Sequence, residues 1–452
     1  MSFDATVLRA SRPRTAFAVL IAGAMLVAGC GSSSPTGKTA AAGSGASSAA
    51  TRATTSSSAT ATSHCGSKPG VRATGTPIRL GAIATKQPGT DFTDIANMAQ
   101  AYFACVNANG GVNGHPIQYV IETEQTQPAQ IAADAHKLVT TDHVAGIVGN
   151  TSILECTIDH AYWERLGYHV IDSGIAPECW STPNSAAVNM GPRFSSDGAV
   201  QYALTRHVSK VIFDQANVPG WPYAAAGVKA VATASHVPVQ NLIESVPIQD
   251  ANSVALREVN AAGPNGAVVL DFTPPEALVI LQAAQKLGIE NRVKVWGCST
   301  PCNTDFLATA LGPKWNHKLF VNAELTPPDA SSTPSMQLYR AILKQYGHAV
   351  TGGVGSFSQM GFTEAEITVH ALGSIKGPYT TASVNAAFKA VKGFNTGQLC
   401  QPWTYGNFPM HIPNNVDYTV TPERGKMVTV QGCTPVSSAD PLIAAYRKLA
   451  AG

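Results

Sequence analysis

Two loops rich in hydroxyl and amide groups, and one N-terminal thiol, are the parts of this chain best placed to do chemistry. Gly149-Asn150-Thr151-Ser152 follows the apolar run Ala145-Gly146-Ile147-Val148 and precedes a stretch with helical spacing. Such a loop sets amide and hydroxyl donors at a helix N-terminus, where unpaired N–H groups favour carboxylates and other acceptors. Thr151 or Ser152 could equally serve only as a helix N-cap. Ser173-Gly174-Ile175 holds the matching place after the run Tyr168–Ile171. Catalytic patterns are missing. No G-x-S-x-G elbow occurs, and His143, His160 and His207 sit in or beside helical stretches, as surface histidines do. The absence of C-x-x-C and H-E-x-x-H spacings argues against a metal. Gly37-Lys38-Thr39 is no phosphate loop, because Ser32 stands where a glycine is required. We therefore expect no catalysis, no metal and no cofactor.

Composition narrows the partners. Only 13% of residues are charged, against roughly 25% in an average soluble domain, while 44% are hydrophobic, which excludes a disordered polyelectrolyte. A net charge of +2 lacks the basic footprint of a nucleic-acid binder, leaving small molecules and proteins. Beyond the N-terminus no apolar run is long enough to span a bilayer.

Arg9, Arg12 and Arg14 precede the apolar stretch Ala16 to Gly29, which ends at Val27-Ala28-Gly29-Cys30. A basic segment, a short apolar core and small residues before a cut site form an export signal. With Cys30 next, the site resembles the lipobox of bacterial lipoproteins, which implies that the thiol is acylated and becomes the first residue. Residues 1–29 then read as a lipoprotein signal peptide. Residues 30–64, almost all Ser, Thr, Ala and Gly, read as a flexible tether that cannot offset its ordering entropy. The expected location is the extracytoplasmic face of the cell membrane, with lipid on Cys30 as the membrane contact. Of nine cysteines, eight remain for disulfides in an oxidising compartment. Eight thiols allow 105 pairings. Neighbours in sequence suggest Cys65–Cys105, Cys156–Cys179, Cys298–Cys302 and Cys400–Cys433.

The body alternates short apolar runs with amphipathic stretches. Strands are expected at 78–83, 117–121, 145–148 and 168–171, with helices between them, the first stopping at Asn109-Gly110-Gly111. The pattern restarts with strands at 210–213, 239–245, 267–270 and 293–296. Such alternation implies right-handed βαβ units and parallel sheets covered by helices. The break between Asn184 and Lys210 favours two Rossmann-like α/β lobes over one barrel.

Asn107-Ala108-Asn109-Gly110-Gly111-Val112-Asn113-Gly114-His115-Pro116-Ile117 resembles the "IN-x-x-GG-(I/V)-NG-x-x-I" segment of type I periplasmic binding proteins, in the branch that serves branched-chain amino-acid ABC transporters. The likeness extends in order through Thr126–Val139, Gly146–Ser152, Val170–Gly174, Asn260–Val268 and Met427–Val430. It implies two α/β lobes joined by a multi-stranded hinge of about three crossovers, with ligand held in the cleft between them. Lobe 1 would be 65–193 and 325–398, lobe 2 would be 194–324 and 399–435, and 436–452 a C-terminal helix. By the same resemblance the ligand contacts are Gln87, Phe92, Asn150, Thr151, Ser152, Ser173, Gly174, Ile175, Trp221, Phe272 and Ser299, with Lys86 and Asp91 nearby. Trp163 and Trp180 read as packing residues.

The implied function is capture of a small polar molecule (amino acid, amide or relative) and delivery to ABC permease subunits by a monomeric, lipid-anchored receptor. The alternative is a sensor ectodomain that signals to a membrane partner without transport. Departures from the pattern bear on the ligand. Gln215-Ala216-Asn217-Val218-Pro219-Gly220-Trp221 replaces the family's "D-x-x-Y-G", Phe272 stands where Tyr is frequent, and Gly297-Cys298-Ser299 lacks the acid that would pair an ammonium group. A buried ammonium without a carboxylate is costly. Calorimetric titration with leucine, valine and isoleucine should therefore show no micromolar binding.

Overall fold

β-Branched runs and amphipathic segments sort into two sheets with helices on their faces. The computed structural model describes residues 65–219 and 221–451; the signal peptide, Cys30 and the tether expected from the sequence lie outside them. The first group comprises β1 (Ile78–Gln87), β2 (Thr90–Asp91), α1 (Thr93–Ala108), β3 (Ile117–Glu124), α2 (Pro128–Thr140), β4 (Gly146–Asn150), α3 (Glu155–Leu166), β5 (Val170–Asp172), α4 (Glu178–Ser181) and β6 (Ser185–Ala187). The second comprises α5 (Gly191–Thr205), β7 (Val211–Ala216), α6 (Ala224–Ala234), β8 (Val239–Glu244), α7 (Ala251–Ala262), β9 (Ala267–Asp271), α8 (Pro274–Leu287), β10 (Val295–Cys298), α9 (Asp305–Leu311) and β11 (Leu319–Ala323). Helices α10 (Pro334–Tyr346), α11 (Ser356–Gly373) and α12 (Thr381–Ala390), strands β12 (Val416–Glu423) and β13 (Lys426–Pro435), and helix α13 (Pro441–Ala451) complete the chain. None of these helices is long and apolar enough to cross a membrane.

In the first sheet parallel strands run in the order β3-β1-β4-β5-β6, with β2 folded back antiparallel on the end of β1. In the second, β8-β7-β9-β10-β11 are parallel, and β12 and β13 close the edge antiparallel. The architecture is thus α/β with two Rossmann-like lobes. Strands β4, β7, β9, β10 and β11 are buried along their whole length, as apolar strands covered on both faces must be. The interval 185–209, read from sequence as a break, contains β6 and the buried helix α5. Its Ser195, Ser196, Asp197 and Gly198 hid the apolar stripe.

The Asn-Gly-rich signature has a structural cause. Asn107 in α1 donates through Nδ2 to the Ile117 carbonyl (2.8 Å) and accepts the Ile117 N–H at Oδ1 (2.7 Å), clamping β3 to the helix before it. Between them Gly111 has φ +64°, and a Cβ there would meet the His115 carbonyl oxygen at 2.3 Å. Helix α11 lies tightly on α1, since a Cβ on Gly361 would come within 1.9 Å of the Ile95 oxygen. This contact brings the N-terminal ends of both helices to one edge of the first lobe. Among the described residues four disulfides are present, Cys65–Cys105, Cys156–Cys179, Cys298–Cys302 and Cys400–Cys433, in the pairing that sequence neighbours suggest.

The chain passes between the sheets at 188–190, 324–326 and 412–415. Asn414 Nδ2 donates to the carbonyls of Val188 (2.9 Å) and Glu324 (3.0 Å), and the Glu324 carboxyl accepts the Met190 N–H at 2.5 Å. One amide and one carboxyl therefore stitch all three crossovers. Helix α13 covers this region. Asp440 meets the Arg193 guanidinium at 2.6 Å with both side chains buried, Arg447 reaches Asn415, and Ile443 and Tyr446 pack with Trp180, Phe194 and Ile412. Residues 399–411 run beside the first sheet, where Trp403 pairs with Phe394 and Tyr405 with Val391.

Burial pushes the Glu324 carboxyl up to about 8, so it holds a proton at neutral pH. Glu324→Gln keeps an acceptor for Met190 without a charge and should leave stability nearly unchanged at pH 7. Glu324→Leu strands a buried N–H and should cost about 1–3 kcal/mol in chemical denaturation.

Candidate functional site

Each sheet carries the strand order in which β1 and β7 are flanked by strands reached in opposite directions, and ligands of such sheets sit beyond the strands' carboxyl ends at that point. The two carboxyl edges face one another and enclose two adjoining chambers, with Phe357 at the start of α11 lining both. The inner chamber, about 40 Å³, is walled by Phe92, Ile95, Ile175, Trp221, Phe357 and Met360, with Ser173, Asn189, Asp271 and Thr300 as its polar edges. Phe92 meets Phe357 edge-on at 5.4 Å and Trp221 at 6.4 Å, so aromatics from both lobes close on one point. The outer chamber, about 340 Å³, runs from Gln87, Thr90, Asp91 and Asp94 to Thr273–Glu276, Thr304 and Phe306. The lobes touch around it: Thr273 Oγ1 donates to the Gly89 carbonyl (3.1 Å), Asp305 N–H to Val354 (3.2 Å), and Ser356 Oγ to Thr300 (2.7 Å).

Among the described residues, the one carboxyl lining the inner chamber is Asp271, the last residue of β9. Burial pushes it up to about 7, against the pull of hydrogen bonds from Ser299 Oγ (2.6 Å) and the Trp221 indole N–H. The indole bond fixes the Trp221 ring across the chamber. On the facing lobe, burial holds Asp172 near 7 and Glu364 well above the usual carboxylate range, and Ser173 Oγ donates to Glu364 at 2.6 Å.

Of the residues expected at the site, the structure brings Gln87, Phe92, Ser173, Gly174, Ile175 and Trp221 to the chambers. Asn150, Thr151 and Ser152 line neither one. Asn150 Oδ1 accepts the Ile83 N–H (2.9 Å), Thr151 Oγ1 donates to the Phe92 carbonyl (3.4 Å), and Ser152 Oγ accepts the Glu155 N–H (3.2 Å). These groups are buried and tie β4 to β1 and to the start of α3. Phe272 is wholly buried in the core, because successive strand residues point to opposite sides and its neighbour Asp271 takes the chamber side. Ser299 acts through Asp271 and lines neither chamber. Lys86 is exposed; Trp163 and Trp180 are buried. Sequence reasoning missed Asp271, Asn189, Thr90 and Phe357. Asp271, the last residue of β9, was within reach of the strand-end rule, whereas the family resemblance pointed to the next residue, Phe272.

A profile described as periplasmic binding protein matches residues 77–413, three quarters of the chain. The chain belongs to this family. No curated protein sequence matches the binding protein. Among solved structures it is similar to a branched chain amino acid ABC transporter protein from Thermus thermophilus with bound valine (TM-score 0.71, 14% identity, 84% of this chain and 100% of that one). It is also similar to the fatty acid ABC transporter substrate-binding protein from Thermomonospora curvata (0.68, 18%, 83% and 95%). A third is an ABC transporter solute binding protein from Rhodopseudomonas palustris BisB5 in complex with 3,4-dihydroxy benzoic acid (0.66, 16%, 81% and 99%). At these identities the likeness establishes the fold.

The folded Asp271 carboxyl holds its proton to about pH 7, whereas an unfolded Asp releases it near pH 4. Between those values the folded state binds more protons, so this contribution is full below about pH 4 and is lost as pH rises to about 7. Calorimetric unfolding temperatures of the binding protein should fall across that window. Asp271→Asn, whose side chain cannot ionise, should make the fall shallower by up to about 1.4 kcal/mol per pH unit.

Proposed function

We propose that this binding protein is a lipid-anchored extracytoplasmic receptor that traps a small solute between its lobes and passes it, chemically unchanged, to an ABC-type importer. The observation that carries the reading is the aromatic gate of Phe92, Phe357 and Trp221, built from both lobes at the carboxyl ends of both sheets. A solute that touches both lobes stabilises the closed arrangement only while bound, and the importer can then distinguish loaded from empty receptor. The stitched crossovers support such a motion, since they hold the two sheets at one place and leave the opposite edges joined by a few loop contacts. Support for the anchor comes from the N-terminal sequence, in which Cys30 follows Val27-Ala28-Gly29. The mostly apolar inner chamber shifts the ligand from the small polar solute the sequence implied toward a molecule with an apolar body and a polar group.

Two measurements test the reading. In a thermal-shift screen of small metabolites, a true ligand at about 100 times its Kd should add about 2.7 kcal/mol of apparent stability, and Trp221→Ala should abolish the shift. No shift with any solute would overturn the receptor. In cells, Cys30→Ala should end incorporation of labelled palmitate and release the protein from the membrane fraction.

A further inference from the structure

The polar groups of the two chambers are unbalanced between donors and acceptors. Most of their hydroxyl protons are committed to the protein: Ser173 donates to Glu364, Thr300 to Asn322, Thr351 to Asp94, Ser358 to the Gly353 carbonyl and Thr273 to Gly89. The N–H groups of Gly352 and Ser356 are likewise taken, by Asp94 and by the Asn303 carbonyl. Among the described residues, two buried side-chain polar atoms on the chamber walls have no partner. One is Asn189 Oδ1, an acceptor, whose amide Nδ2 is used on the Gly174 carbonyl (2.9 Å); the other is Thr90 Oγ1. Such orphaned groups cost stability unless something supplies the missing hydrogen bond.

Charge points the same way. The outer chamber is lined by the carboxylates of Asp91, Asp94 and Glu276, and among the described residues no Lys, Arg or His lines either chamber. Helix α8 starts on the outer chamber, and a helix start ordinarily attracts anions through its free N–H groups. Here Pro274 and Pro275 remove two of those groups, and Glu276 places a negative charge in the first turn. An anionic ligand would meet these carboxylates with no positive charge to offset them, and only the Thr90 and Thr304 hydroxyls and the Gln87 amide as donors. The inner chamber, in turn, offers aromatic faces, which attract cations as well as apolar groups.

We propose that the cleft recognises an organic ammonium ion, an amine carried on an apolar body. This rests on the receptor reading and names its ligand class. The ammonium group supplies a donor to Thr90 and a positive charge to the acidic rim of the outer chamber, while the apolar body reaches the aromatic wall of the inner one.

The test is calorimetric titration of the mature full-length protein with matched series on propyl, hexyl and phenethyl bodies, each bearing an amine, an alcohol or a carboxylate. The expected result is that at least one amine binds tenfold or more tightly than its alcohol and carboxylate partners, and that its affinity falls as salt rises. Asp91→Asn and Glu276→Gln, which keep the local hydrogen-bond acceptors, should each weaken that amine roughly three- to tenfold and leave the alcohol unaffected. Carboxylates binding as tightly as amines, or no amine binding at all, would overturn the ligand class while leaving the receptor intact. The receptor itself fails only if no solute of any charge binds in the wider screen.

Discussion

Everything the two sheets can do together depends on how the chain is held where it crosses between them. Asn414 spans the carbonyls of Val188 and Glu324, and Glu324 in turn takes the Met190 N–H. These bonds are buried, so water cannot replace them, and their loss leaves backbone groups unsatisfied. The crossovers become a single rigid stitch. The proposed lobe closure would pivot about this stitch, at the far side of the sheets from the interlobe contacts Thr273–Gly89 and Asp305–Val354.

The chambers take their character from the strand ends that reach them. Side chains alternate along a strand, so a strand end commits one residue to the chamber and the next to the core. On β9 that choice puts Asp271 in the chamber and Phe272 behind it. Asp271 then anchors the Trp221 indole, and Trp221 completes the aromatic wall begun by Phe92 and Phe357 on the other lobe. Buried carboxyls on both sides, Asp172, Glu364 and Asp271, are kept near or above neutral titration by the same desolvation that makes the wall apolar.

The α/β alternation, the glycine turn after α1 and most strand positions were legible in the sequence because each follows from local periodicity or backbone conformation. Helix α5 was not, since Arg193, Ser195, Ser196, Asp197 and Gly198 are buried among its few apolar residues and break the apolar rhythm. The Asn107–Ile117 signature read correctly as a family mark, yet its work is to clamp a strand rather than to touch a ligand. The loop of Asn150, Thr151 and Ser152 failed as a chamber wall for a related reason: its donors and acceptors satisfy β1 and α3 first. Asn189 and Thr90 left no signal, because an unpartnered oxygen is a property of the folded surroundings.

Helix α13 follows the last strand and could be mistaken for a dispensable tail. It is bolted through Asp440 to Arg193 and through Arg447 to Asn415, and its apolar face roofs Trp180 and Phe194. A chain trimmed after β13 would bare an indole, a phenyl ring and an unneutralised guanidinium at the pivot. Reporter fusions and affinity handles therefore belong inside the Ser, Thr, Ala and Gly-rich stretch between Cys30 and Cys65, and not on a carboxyl terminus packed at the pivot.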